Sequence, residues 1–172
     1  RELYRKAQEI APTDSLREKL HLRSQLIPDG YYTSADGNTY PYRINPDGSA
    51  IITGNSFYFS APVSETAIIP DEIVHNGERH TVKQILLTAF KNNPRLRKVI
   101  LPAGLEDIGN NAFSRCDALD TIIAGPKITR FPDDLRLGVY VLLPHGTENA
   151  DWLVNRTGKY YEAGQDFSGL IS

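Results

Sequence analysis

Leu96-Arg97-Lys98-Val99-Ile100-Leu101-Pro102, followed by Leu105, Ile108-Gly109 and Ala112-Phe113-Ser114-Arg115-Cys116-Asp117-Ala118-Leu119, is the stretch on which the fold turns. Shifted forward by 23 positions, its apolar places fall on Leu119, Ile122, Ala124, Ile128 and Phe131. Shifted back by 23 they fall on Ile85, Ala89-Phe90 and Leu96. A chain that repeats its apolar places at a fixed period builds one supersecondary unit again and again, and each unit buries its apolar side against the next.

The repeat continues in both directions. Ala67-Ile68-Ile69-Pro70 matches Val99-Ile100-Leu101-Pro102 at a separation of 32, and the excess of 9 is taken up by the loop Val74-His75-Asn76-Gly77-Glu78-Arg79-His80. Val139-Tyr140-Val141-Leu142-Leu143-Pro144 again ends apolar-Pro. A period between 20 and 29 with the pattern Leu-x-x-Val-x-Leu marks a leucine-rich repeat. The expected fold is therefore β-rich α+β: a short leucine-rich-repeat solenoid of ~23-residue coils, capped by an N-terminal β-meander and short helices. In the central coil Leu96, Val99, Leu101, Leu105, Ile108, Ala112, Phe113 and Cys116 are expected to point inward, while strand alternation turns Lys98 and Ile100 outward.

Outside the repeats the sequence divides into three further segments. Residues 1–30 read as helical, with Leu3, Ala7 and Ile10 at helical spacing, an interruption at Pro12, and Ser15 with Glu18 as a capping box ahead of Leu16, Leu20 and Leu26. Residues 31–66 read as a meander. The turn clusters Ala35-Asp36-Gly37-Asn38 and Asn45-Pro46-Asp47-Gly48 separate strands at Tyr31–Ser34, Thr39–Ile44 and Ser49–Thr53, with a further apolar run at Phe57-Tyr58-Phe59. Residues 67–144 hold the repeats. Residues 145–172 form a C-terminal cap anchored by Trp152, with a polar, loosely ordered part from Asn155 to Gly169.

Composition narrows the function classes. The 172 residues carry a formal net charge of −2, which gives no electrostatic reason to expect nucleic acid or an anionic membrane as partner. No stretch approaches the ~20 apolar residues of a membrane span. A single cysteine excludes an internal disulfide framework. The chain opens at Arg1, which reads as a processed or truncated piece whose leader is not visible.

Several side chains invite a chemical reading. His75, Glu78 and His80 share one loop, but their spacing fits no metal motif and the loop reads as a solvated hairpin tip, so no metal and no cofactor is expected. Cys116 with His80 has the residue types of a nucleophile and base. However, Cys116 falls one period after Asn93, at an interior turn position where a buried thiol is inert. Glu106-Asp107 and Asp133-Asp134 are adjacent carboxylates that an extended chain points to opposite sides, which does not make the shared site of a glycosidase. Arg95, Arg97 and Lys98, with Ile100, Thr121, Ile123, Tyr140 and Leu142, form a mixed basic and apolar strip on the outer strand surface, where solenoids bind partners.

The runs Ile69-Pro70, Val82-Lys83-Gln84-Ile85, Ala89-Phe90, Leu96, Val99-Ile100-Leu101-Pro102, Ile108-Gly109, Ala112-Phe113-Ser114-Arg115-Cys116 and Leu119 resemble the BspA-like (Treponema-type) leucine-rich repeats of bacterial surface proteins. The likeness extends from roughly Tyr40 to Trp152. It decays after Ile128, where Phe131-Pro132-Asp133-Asp134 replaces Ile-Gly and the Ala-Phe pair is missing. The resemblance implies a non-enzymatic, adhesin-type module at the cell surface or outside the cell. Its partner would be a protein ligand such as a host extracellular-matrix or cell-surface protein. Two alternatives remain: a structural tile of a longer array without a ligand of its own, and an accessory domain of an enzyme.

Overall fold

The computed structural model describes residues 2–10, 13–18, 27–54, 63–132, 135, 138–144 and 160–162. The expected features at Leu20, Leu26, Phe57–Phe59, Asp133–Asp134, Trp152 and Asn155 lie outside them.

Within the segment read as helical, residues 2–10 and 14–18 are helical, and Gly30 already begins the first strand. Helix α1 (Glu2–Ile10) is laced by Arg5, which pairs with Glu2 at 2.7 Å and Glu9 at 3.9 Å. Its Leu3 and Ile10 are exposed, so the spacing that predicts the helix does not place it in the described core. A second helical stretch, 14–18, starts two residues earlier than the capping-box motif suggests. Thr13, not Ser15, caps it: the Thr13 hydroxyl accepts from the Leu16 backbone N–H at 3.2 Å.

Strands β1 (Gly30–Thr33), β2 (Thr39–Ile44) and β3 (Ala50–Ile52) form the expected antiparallel meander. Both connections are type I turns closed by a glycine at positive φ, Gly37 and Gly48. The loop expected at 74–80 is a β-hairpin. Strand β5 (Glu72–His75) pairs antiparallel with the start of β6 (Glu78–Ile85) through Asn76 and Gly77, both at positive φ. Such a two-residue turn matches the right-handed twist of its strands.

The remaining ladders are parallel and follow the period. Strands β4 (Thr66–Ile68), β7 (Lys98–Ile100), β9 (Thr121–Ile123) and β10 (Tyr140–Leu143) stand side by side in one sheet. The register Lys98↔Thr121 and Ile100↔Ile123 is the 23-residue spacing made physical. A fifth strand, β11 (Tyr160–Glu162), extends this sheet from within the segment read as a polar tail; a three-residue strand between polar neighbours leaves too little pattern to detect. In the other sheet β3 pairs parallel with β6, β6 with β8 (Asp107–Ile108), and Asp107 bridges to Arg130. The sheet topology is thus mixed, antiparallel in the meander and hairpin and parallel between copies.

Between the sheets lies one apolar core. All eight residues expected to face inward in the central coil are buried. Phe90 and Phe113 stack at the turns, where the Phe90 N–H donates to the Ala112 carbonyl at 2.8 Å. Asn93 and Cys116, one period apart, both donate to the Phe90 carbonyl, from Nδ2 at 2.8 Å and Sγ at 3.1 Å. Asn93 also accepts from the Val63 N–H at 3.1 Å, which ties in the preceding copy.

At the other boundary of the parallel sheet, β4 keeps one edge that no strand among the described residues covers. The turn between β1 and β2 closes it with side chains. Asn38 Nδ2 donates to the Thr66 carbonyl at 2.9 Å, and the Ile68 N–H donates to Asp36 Oδ2 at 3.3 Å. These are the groups a further strand would engage, so Asp36 and Asn38 blunt an edge open to strand addition.

Candidate functional site

The outward face of the parallel sheet consists of two rows. One is Thr66, Lys98, Thr121 and Tyr140; the other is Ile68, Ile100, Ile123 and Leu142. Alternation sends Ala67, Val99, Ile122 and Val141, each almost fully buried, to the opposite side. Strand geometry alone therefore brings six of the eight expected site residues onto two neighbouring rows.

Burial divides those rows. Lys98, Ile100, Ile123 and Tyr140 are partly exposed. Thr121 and Leu142 are not: they keep 1% and 5% of their surface, which corrects their assignment to an accessible strip. Thr121 is a short side chain between Lys98 and Tyr140, and its hydroxyl donates to Asp120 Oδ1 at 2.9 Å. Leu142 lies on a strand flanked on both sides, by β9 and by β11, where its register partner is Tyr161. Sequence spacing shows which way a side chain points and does not show how closely its neighbours stand.

Arg95 and Arg97 sit beside the rows and are exposed. Arg97 is engaged with Asp120, Nη2 to Oδ2 at 3.5 Å, one coil further on. Ile68, 42% exposed, belongs to the same face and was missed. The match of Ala67-Ile68-Ile69-Pro70 to Val99-Ile100-Leu101-Pro102 carried the signal, since it sets Ile68 against Ile100.

The other chemical candidates resolve into structural roles. His75 is not a solvated tip residue: its Nδ1 lies 2.9 Å from the Tyr42 hydroxyl. His80 is buried, with Nδ1 2.8 Å from the Gly48 carbonyl. Both histidines fasten the hairpin to the meander, and Glu78 stays exposed. Among the described residues no three His, Cys, Asp or Glu side chains stand close enough to hold a metal ion. Cys116 is buried against the Phe90 carbonyl, and burial pushes its thiol up to about 11. Glu106 and Asp107 pair with different cations, Lys83 and Arg130.

Stacked copies with a 23-residue register and an interior Asn or Cys at each turn define a leucine-rich-repeat protein. The sequence model of the family described as BspA type Leucine rich repeat region (6 copies) matches residues 51–135. By this match residues 51–135 are BspA-type leucine-rich repeats. No curated protein matches it. Among solved structures it is similar to a leucine-rich repeat protein from Bacteroides capillosus, at 20% identity and a TM-score of 0.53, over 79% of this chain and 100% of that one. At that identity the likeness shows the fold alone. A leucine rich cell surface protein from Faecalibacterium prausnitzii aligns at 16% identity and a TM-score of 0.37, over 69% of this chain and 46% of that one. Among the described residues no helix is long and apolar enough to cross a membrane.

Proposed function

We propose that this chain is a non-enzymatic protein-interaction module of adhesin type, displayed on or released from a bacterial cell. Its coils stack as a short solenoid, and its ligand docks on the outward face of the five-stranded sheet. The family match supports an interaction role, and the registered rows of that face support the location. The single observation that carries it is the aliphatic row Ile68, Ile100 and Ile123 beside Lys98 and Tyr140, held in register by parallel strand pairing. A rigid face with apolar, aromatic and basic groups suits a protein surface better than a small substrate. A structural tile of a longer array is the second reading, favoured by the continuation of the sheet through β11.

Binding of the purified chain to immobilised extracellular-matrix and cell-surface proteins tests this, with an Ile100→Asp, Lys98→Glu variant of equal Tm alongside. Saturable binding lost in the variant supports the proposal. Binding that the variant retains removes the face, and absence of any binding leaves the tile.

A further inference from the structure

The second sheet has an outward row of its own: Ile51, Gln84, Asp107 and Arg130, neighbours in register across β3, β6, β8 and the final bridge. Beside it the loops that follow β6 and β8 rise to form one wall, with Leu87 and Asn110 at equivalent places 23 residues apart. Gly109 sets how closely the loops approach, because a Cβ there would stand 2.4 Å from the Leu87 N atom. Row and wall enclose an open groove of about 320 Å³. That is the lower end of the range for small-molecule sites and room for one or two sugar rings.

We propose that this groove binds a neutral, polyhydroxylated ligand, a mono- or disaccharide unit of a glycan. Three observations select that chemistry. The charges inside cancel: Arg130 donates from Nε and Nη2 to the two carboxylate oxygens of Asp107, the latter bond at 3.1 Å. The closed pair gives neither an acid nor a base an advantage, yet a carboxylate has about four lone-pair sites, so some remain for hydroxyl donors. Amides supply further polar lining, at Gln84, whose Oε1 accepts from Asn45 Nδ2 at 2.9 Å and whose NH2 is a donor group, and at Asn110 and Asn111, and amides both donate to and accept from hydroxyls. Leu87, 48% exposed, offers an apolar surface for the C–H face of a sugar ring, and Ile51, only 6% exposed, closes the floor beneath it.

An extended peptide fits poorly. Along Gln84–Ile85 strand β6 is bonded to β3 on one side and β8 on the other, so the groove offers no open strand edge for backbone pairing. The groove is separate from the proposed protein-binding face, and the two stand or fall independently.

The test is a glycan array followed by titration calorimetry of the whole chain with cellobiose, maltose, lactose and N,N′-diacetylchitobiose, with sialyllactose and a heparin disaccharide as charged comparisons. Leu87→Arg and Asn110→Ala, both at exposed positions, serve as groove variants, and Lys98→Glu as a variant of the other sheet. The expected result is binding of at least one neutral saccharide, weakened about tenfold or more by each groove variant and unchanged by Lys98→Glu. Binding of none of the neutral saccharides, preference for the charged ones, or equal binding by the groove variants at unchanged Tm overturns the proposal.

Discussion

The rings of Phe90 and Phe113 stack with centroids 5.6 Å apart and planes inclined by 11°, one copy of the repeat directly upon the next. Phe90 is 1% and Phe113 7% exposed, so the pair is a spine of the core and not a surface contact. Phe113→Ala removes one ring of that stack and leaves a cavity between coils. It should cost about 3–5 kcal/mol, read from urea denaturation. A loss below about 1 kcal/mol would mean that the site collapses freely, contrary to a close-packed interior.

Thr88 has φ of 61°, a region that a β-branched side chain rarely enters. The residue one period later, Asn111, holds φ of 60° at the same place in the turn, and asparagine tolerates it. Thr88→Asn should therefore stabilise the chain by about 1 kcal/mol, the lower end of the strain such a residue stores. A lower Tm for this variant would show that the threonine side chain contributes more than its backbone costs.

Cys116 should resist alkylation in the folded chain. Burial holds its thiol well above neutrality, at about 11, and Sγ is engaged with the Phe90 carbonyl. Its reaction with iodoacetamide should track global unfolding, rising in proportion to the unfolded fraction as urea is added. Fast labelling in native buffer would contradict the interior position.

The Asp36–Asn38 cap gives a pH dependence with a defined sign. Burial alone would raise the Asp36 carboxyl, but hydrogen bonds from Ser34, from the Asn38 backbone and side chain, and from the Ile68 N–H hold it below its usual range. A carboxylate depressed in the folded state stabilises above its unfolded pKa, and that stabilisation is lost as pH falls through the folded value. An Asp36→Ala, Asn38→Ala variant frees the Ile68 N–H of β4 at every pH and leaves the Thr66 carbonyl to the Ser64 hydroxyl, at 3.0 Å. It should self-associate in sedimentation velocity runs near neutral pH where the parent stays monodisperse. The parent should approach the variant's behaviour only in strong acid. A variant as monodisperse as the parent removes the cap's role.

The repeated part of the fold was legible because a stacked coil repeats its burial at one spacing. Leu96, Val99 and Leu101 determine Leu119, Ile122 and Ala124 without any contact being seen. Turns with strong chemistry, such as Asp36-Gly37 and Asp47-Gly48, were legible for the same local reason. What depends on neighbours in space was not. The burial of Thr121 and Leu142 comes from flanking strands, the Asp36–Asn38 cap from a contact 28 residues away in sequence, and β11 from pairing without pattern. The groove beside Gly109 belongs to this group too, since only the approach of two loops creates it.

Docking on the five-stranded sheet is tested by site-specific photo-crosslinking to whichever matrix or surface protein binds. A photoreactive phenylalanine is placed at Ile100, on the outward row of the five-stranded sheet, or at Val74, 60% exposed on the hairpin. Docking on the five-stranded sheet requires a crosslinked product from position 100 and none from position 74. Crosslinking from 74 alone would contradict it, because the partner would then dock on the hairpin and leave the stacked strands untouched.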